Sequence, residues 1–168
     1  MIELSNLETE LGRIVLAATK SGLCALDFAD SDTPVRERLT RAHPGATFGS
    51  GPHAKAAAGR VKAYFAGELD ALSSLEVAPS GTEFQKKVWS ALRKIPVGAT
   101  CSYGKIAGTI GKPTAVRAVG AANGQNPIAL VVPCHRVIAA DGTLCGYAGG
   151  LWRKRWLLKH ERAQVLAM

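Results

Sequence analysis

Two short apolar runs, Gly12-Arg-Ile-Val-Leu-Ala-Ala-Thr19 and Gly22-Leu-Cys-Ala-Leu-Asp-Phe28, meet at Thr19-Lys-Ser-Gly22 and limit what this chain can become. Apolar runs of strand length on either side of a Gly-containing turn form a β-hairpin. After them the pattern turns mainly helical, so the sheet is small, antiparallel and N-terminal. The expected fold class is mixed α/β (α+β).

Thr33-Pro34 sets a capping hydroxyl before a proline, which predicts a helix from there to about Ala42. His43-Pro44-Gly45 stops it. An Ala-rich helix follows from about Pro52 to Ala66, with Val61, Tyr64 and Phe65 facing inward. Residues 71–81 read as a link into a second domain, giving expected domains at 1–79 and 80–168.

Thr82-Glu-Phe-Gln85 is a capping box opening a helix to about Lys94, with Phe84, Val88, Trp89, Leu92 and Ile95 on one face. Ser102–Ile110 and Thr114–Ala122 read as two short helices around Gly111-Lys-Pro113. Such a pair suits a helix-turn-helix, and also occurs as plain core structure. Ile128–Val132 reads as a brief buried strand delivering the chain to Pro133-Cys-His-Arg. A final helix spans about Leu151 to Glu161, with Trp152, Arg153, Lys154, Arg155 and Lys159 as a basic surface.

The net charge of +8 is unevenly spread. Residues 1–79 hold 8 Lys/Arg against 10 Asp/Glu, whereas residues 80–168 hold 13 against 3. A basic half suits a polyanion such as nucleic acid, or simply a basic soluble protein. The N-terminal residues lack a secretion pattern, and aliphatic runs such as Ile128–Val132 are far too short to cross a bilayer. The expectation is a soluble cytoplasmic protein without membrane contact, associated with the nucleoid if bacterial. The cysteines (24, 101, 134, 145) and histidines (43, 53, 135, 160) show no CxxC or HxxxH spacing, so no metal site and no disulfide framework are expected.

Cys134 stands out because a proline and an apolar segment fix it beside His135 and Arg136. Both neighbours can favour a thiolate, the reactive form. A free cysteine is otherwise most often a small buried hydrophobe. His135 can polarise the thiol through a bridging water if a carboxylate fixes its tautomer. The basic half offers only Glu83, Asp141 and Glu161. Asp141 suits a turn with Gly142 and Glu83 the capping box, leaving Glu161 as the best partner.

Pro133-Cys-His-Arg-Val137 resembles the signature of the O6-alkylguanine-DNA alkyltransferases, and the likeness runs from Thr82 to about Ala163. It takes in Ser102-Tyr103, Arg117-Ala-Val-Gly120, Asn126-Pro127, Gly146-Tyr-Ala-Gly-Gly150 and Trp156-Leu-Leu-Lys-His-Glu161, while residues 1–79 resemble the family's variable N-terminal domain only weakly.

The resemblance implies that 80–168 is a DNA-binding alkyltransferase domain and that Cys134 accepts an alkyl group irreversibly, once, from O6-alkylguanine or O4-alkylthymine in double-stranded DNA. It implies that His135, through a water, and Glu161 activate the thiol. Asn126 orients the site, and Tyr103 hydrogen-bonds the flipped base. Arg117 fills the vacated space. The backbone near Cys134 and Val137 reads the base edge, and Tyr147, Ala148 and Gly149 line the pocket. The helix carrying Thr114, Ala115 and Ala118 lies against DNA. Ala148 stands where some relatives have a serine, so contact with O6 falls to backbone amides. No cofactor and no obligate protein partner are implied, and a monomer is expected. Two rivals remain: a non-catalytic alkyltransferase-like lesion sensor, against which Cys134 argues, and a helix-turn-helix transcription regulator, which calls for polar base-reading side chains.

Overall fold

A computed structural model describes residues 1–163; positions 164–168, the end of the expected C-terminal domain, lie outside the described residues. The chain divides into two compact units. One comprises Met1–Ser80 with Pro127–Val131, the other Gly81–Asn126 with the chain from Val132 onward. The segment 127–131, which the sequence reading assigns to the C-terminal domain, thus belongs with the first unit.

The first unit is a four-stranded sheet in the order β3-β2-β1-β4. β1 (Ile2–Thr9), β2 (Gly12–Thr19) and β3 (Gly22–Phe28) form an antiparallel meander, and the two-residue β4 (Phe48–Gly49) adds parallel to β1. The hairpin expected from sequence is β2–β3. In β2, Ile14 to Ala18 are all buried, because each face of a pleated strand carries alternate residues and both faces are covered. On one face Val15, Ala17 and Ala25 pack with Val35 and Leu39 of α1 (Thr33–Ala42). α2 (Pro52–Phe65) packs on β1 and β2 through the face holding Ala54, Ala57, Val61 and Tyr64. Each buried Val, Leu or Ile here contributes about 1.5–3 kcal/mol of transfer free energy.

Two helix starts differ from their sequence signals. Asp32, not Thr33, occupies the N-cap of α1, and its carboxylate accepts from Arg36 Nε at 2.8 Å and not from the helix amides. Pro34 sits in the first turn, where its missing N–H costs no helical bond. At α2 the N-cap is Gly51, which has no side chain to cap with. The buried Glu3 of β1 supplies the oxygens instead, accepting from the amides of His53 at 2.7 Å and Ala54 at 3.1 Å. A side chain at position 51 would collide with that carboxylate.

Segment 127–131 is buried but is not the strand that its apolar run suggests. Leu26 N–H donates to Pro127 O at 3.0 Å and Ala129 N–H to Leu26 O at 3.1 Å, making a single parallel bridge. Leu130 then adopts φ 69°, a left-handed conformation that ends the pairing.

The second unit is mainly helical: α3 (Glu83–Leu92), α4 (Tyr103–Thr109), α5 (Val116–Gly124) and α6 (Leu151–His160). The capping box is present, with Thr82 Oγ1 accepting from Gln85 N–H at 3.1 Å and Gln85 Oε1 from Thr82 N–H at 2.9 Å. Trp89 of α3 donates from Nε1 to Ala122 O of α5 at 2.8 Å, fastening the two helices. α4 and α5 form the helix-turn-helix pair, with Gly111 at φ 77° in the turn. α5 begins two residues later than expected: Thr114 lies in the turn, and Ala115 is a cap without a side-chain bond. Two-residue strands β5 (Cys101–Ser102) and β6 (Val137–Ile138) pair in parallel, Cys101 opposite Val137 and Ser102 opposite Ile138. No helix among the described residues is long and apolar enough to cross a membrane.

Candidate active site

Cys134 opens a single 3₁₀ turn, Cys134–Arg136, just before β6. Its amide donates to Val132 O at 2.8 Å, and Arg136 N–H donates to Pro133 O at 3.0 Å, so the backbone fixes the thiol. Tyr103, first residue of α4, follows β5 directly, and its hydroxyl is near enough to Cys134 for the two groups to interact electrostatically. Asn126 donates from Nδ2 to Val132 O at 2.7 Å.

The turn sends His135 and Arg136 inward. His135 Nε2 lies 2.9 Å from Glu161 Oε2, with both side chains fully shielded from solvent. Arg136 grips the same carboxylate, Nε to Oε1 at 2.8 Å and Nη2 to Oε2 at 3.0 Å, and gives Nη1 to Ile95 O at 2.7 Å. Arg136 is thereby committed to Glu161 and does not serve the thiol as the sequence suggests. Burial pushes the Glu161 carboxyl up, but His135 and Arg136 together hold it well below the usual carboxylate range. Burial pulls His135 down, with Glu161 opposing. A neutral His135 facing an ionised, acceptor-only Glu161 must carry its proton on Nε2. Nδ1 is then a lone-pair acceptor; it is buried and has no hydrogen-bond partner among the described residues. That is a base without a proton, one residue from a thiol.

Burial pushes the Cys134 thiol up, while a hydrogen bond from the Asn126 side chain and the charge of Lys154 favour the thiolate. Lys154 is a correction to the sequence reading: it is fully buried and not part of a basic surface. Its ammonium group donates to Val137 O at 2.6 Å, Cys145 O at 2.6 Å and Gly146 O at 3.2 Å. Helical spacing carries the signal, since Lys154, Leu157, Leu158 and Glu161 share one face and all are buried. Lys154 thus ties β6 to the loop before α6. In that loop Asp141 Oδ1 accepts from Thr143 N–H at 3.0 Å and Gly142 takes φ 87°, the expected turn.

The Tyr103 hydroxyl receives a hydrogen bond from Cys145 Sγ at 3.4 Å, a contact with no local sequence signal. Burial pushes the Tyr103 hydroxyl up, and the nearby Cys145 and Cys134 sulfurs add to it, since charges do not accumulate readily so close together. Tyr103 is therefore protonated at neutral pH. Tyr147 and Gly149 are half-buried and Ala148 exposed on the loop, with Gly150 N–H closing onto Tyr147 O at 2.9 Å. Val137 is buried. Arg117 and Ala118 are exposed at the start of α5, with Thr114 exposed and Ala115 half-buried ahead of it. Among the described residues no three His, Cys, Asp or Glu side chains gather as a metal site.

A buried His135 with an unprotonated ring nitrogen follows a buried Cys134 in a unit that carries a helix-turn-helix, an arrangement that suits a protein with a reactive cysteine. Family models place it further. The DNA-binding domain of 6-O-methylguanine DNA methyltransferase matches residues 83–163, and the ribonuclease-like domain of the same family matches residues 4–79. The methylated-DNA–protein-cysteine methyltransferase of Mycobacterium bovis is 46% identical over 168 residues, covering 99% of this chain and 96% of that protein. Its namesake from Salmonella typhimurium is 61% identical over 98 residues, 58% of this chain and 57% of that protein, so this match spans little more than half of the relative. The crystal structure of Mycobacterium tuberculosis OGT in complex with DNA is similar at a TM-score of 0.78 and 42% identity, covering 95% of this chain and 92% of that one. The chain belongs to the 6-O-methylguanine DNA methyltransferase family.

Proposed function

We propose that this protein repairs DNA directly, taking the alkyl group of O6-alkylguanine, and of O4-alkylthymine, onto Cys134 in a single irreversible turnover. The observation that carries this reading is the buried His135, next in sequence to Cys134, whose Nε2 faces Glu161 and whose Nδ1 has no hydrogen-bond partner among the described residues.

The Cys134 proton passes through a water to His135 Nδ1, and the imidazolium is stabilised by Glu161, itself anchored by Arg136. The thiolate attacks the alkyl carbon in line. The new S–C bond forms as the C–O6 bond breaks, and the electron pair goes to the guanine. Tyr103, protonated at neutral pH, donates to the leaving base so that charge does not build there. The imidazolium then releases its proton to water and Tyr103 regains one, so the net change converts thiol and alkylated base into thioether and guanine. A thioether is not cleaved by water, so each molecule acts once.

The target carbon is hidden in a duplex, and rotating its nucleotide out costs a few kcal/mol. The exposed Arg117 enters the vacated space, while the small residues of α5 approach the groove with few base-reading groups. The asymmetric basic charge favours a duplex DNA partner, and the site lies within one chain, as a monomer requires. Four free cysteines suit a reducing cytoplasm.

The test is intact mass after incubation with excess duplex bearing one O6-methylguanine, followed by peptide mapping. One methyl per chain on Cys134, saturating at one equivalent, is expected. Binding without mass gain makes the protein a lesion sensor, and demethylation beyond one equivalent overturns the single turnover.

A further inference from the structure

We propose that Cys145 is a positioning residue for the transfer: its thiol occupies a lone pair of the Tyr103 hydroxyl, turning that hydroxyl's own proton toward the extruded base. This rests on the transferase reading above and adds to it a residue without a role so far.

The geometry is specific. Cys145 Sγ donates to Tyr103 Oη at 3.4 Å. A phenol oxygen that accepts from one side directs its O–H elsewhere, because donor and acceptor directions on a hydroxyl are separate. Both partners are set by one buried group. Lys154 Nζ holds the Cys145 carbonyl at 2.6 Å, which fixes the residue carrying the thiol. The same ammonium holds the Val137 carbonyl of β6 at 2.6 Å, and β6 pairs with β5 immediately before Tyr103. The Cys145–Tyr103 pair is thus suspended from both ends on Lys154.

The contact bears on rate through orientation. A hydroxyl proton already aimed at the extruded base need not turn before it is given up, and because a thiol is a weak donor the effect is modest.

The experiment compares single-turnover methyl transfer, followed by intact mass, in wild type, Cys145→Ala, Cys145→Ser, Tyr103→Phe and the Cys145→Ala/Tyr103→Phe double variant. Lesion-duplex affinity and thermal midpoint are measured alongside. Cys145→Ala is expected to slow transfer about three- to tenfold with affinity unchanged, Cys145→Ser to restore it, and the loss to vanish in the Tyr103→Phe background. A wild-type rate in Cys145→Ala, or an equal loss with Tyr103→Phe, overturns the proposal. A wild-type protein that gains no methyl overturns the transferase reading itself, which is a separate result.

Discussion

His135 Nε2 and Glu161 Oε2 lie 2.9 Å apart, and neither side chain reaches solvent. A buried carboxylate is unstable alone, and Arg136 supplies its countercharge through two further bonds. The three residues act as a unit. Arg136 keeps Glu161 ionised, Glu161 keeps the His135 proton on Nε2, and Nδ1 is thereby left as an acceptor, as the proposed transfer requires.

Glu161→Gln follows directly from that chain of dependence. An amide can still meet His135, but Arg136 is left as a buried cation without a carboxylate. The expected loss of stability is about 3–5 kcal/mol, read as a lowered urea midpoint. Methyl transfer falls roughly 10²-fold or more in the protein that remains folded, because the tautomer is no longer enforced. A variant with wild-type stability and rate removes Glu161 from the site.

Acid acts through two groups of the same cluster. Burial lowers the His135 pKa from its ordinary 6.5, Glu161 notwithstanding, so the unfolded chain binds this proton more readily than the folded one. Stability from His135 is therefore complete above about pH 6.5 and is lost as pH falls toward the lowered value. Glu161 is depressed from 4.5 by His135 and Arg136 against its burial, so its contribution is intact above that value and lost on further acidification. Urea midpoints should begin to fall below about pH 6.5 and steepen below 4.5. Transfer rates should lose their acid limb in His135→Gln.

What sequence reveals of this molecule is what is decided locally. The Thr82–Gln85 capping box and the Asp141–Gly142 turn each satisfy their own backbone groups within a few residues, so a pattern suffices to find them. Cys134, His135 and Glu161 are legible by chemistry and by elimination among few carboxylates. β1 is not, because its buried residues, Ile2 and Glu3, are followed by a run of polar and half-buried positions that resembles a loop. Glu3 as the cap of α2 depends on a contact fifty residues away. Leu130 looks like the middle of a strand until its left-handed turn is seen. A lysine reads as surface wherever the carbonyls that receive it are distant in sequence, which is the case at position 154.

Lys154→Met tests that last point. Its removal leaves the carbonyls of Val137, Cys145 and Gly146 without their shared donor, at a cost on the order of 2–4 kcal/mol. It also removes a positive charge that favours the Cys134 thiolate. The pH midpoint for alkylation of Cys134 by iodoacetamide should move upward. Lys154→Arg should not rescue stability, since a planar fork cannot reach three carbonyls that converge on one point. Equal midpoints in wild type and Lys154→Met would show that the charge is screened from the thiol.

The fastening of α3 to α5 makes a prediction about a residue with no chemistry at all. A Cβ on Gly81 would lie 2.6 Å from two ring carbons of Trp89, closer than any real contact. The ring cannot swing aside freely, because Nε1 is engaged with Ala122 O at 2.8 Å inside the core. Gly81→Ala must then strain the chain before α3 or break that bond, costing about 1–3 kcal/mol. Replacing the indole with a smaller ring opens the space, so Gly81→Ala should cost less in a Trp89→Phe background than in wild type. The double-mutant cycle in urea measures the difference. Equal costs in both backgrounds would mean that the chain before α3 absorbs the methyl group, and that Trp89 is not what reserves position 81 for glycine.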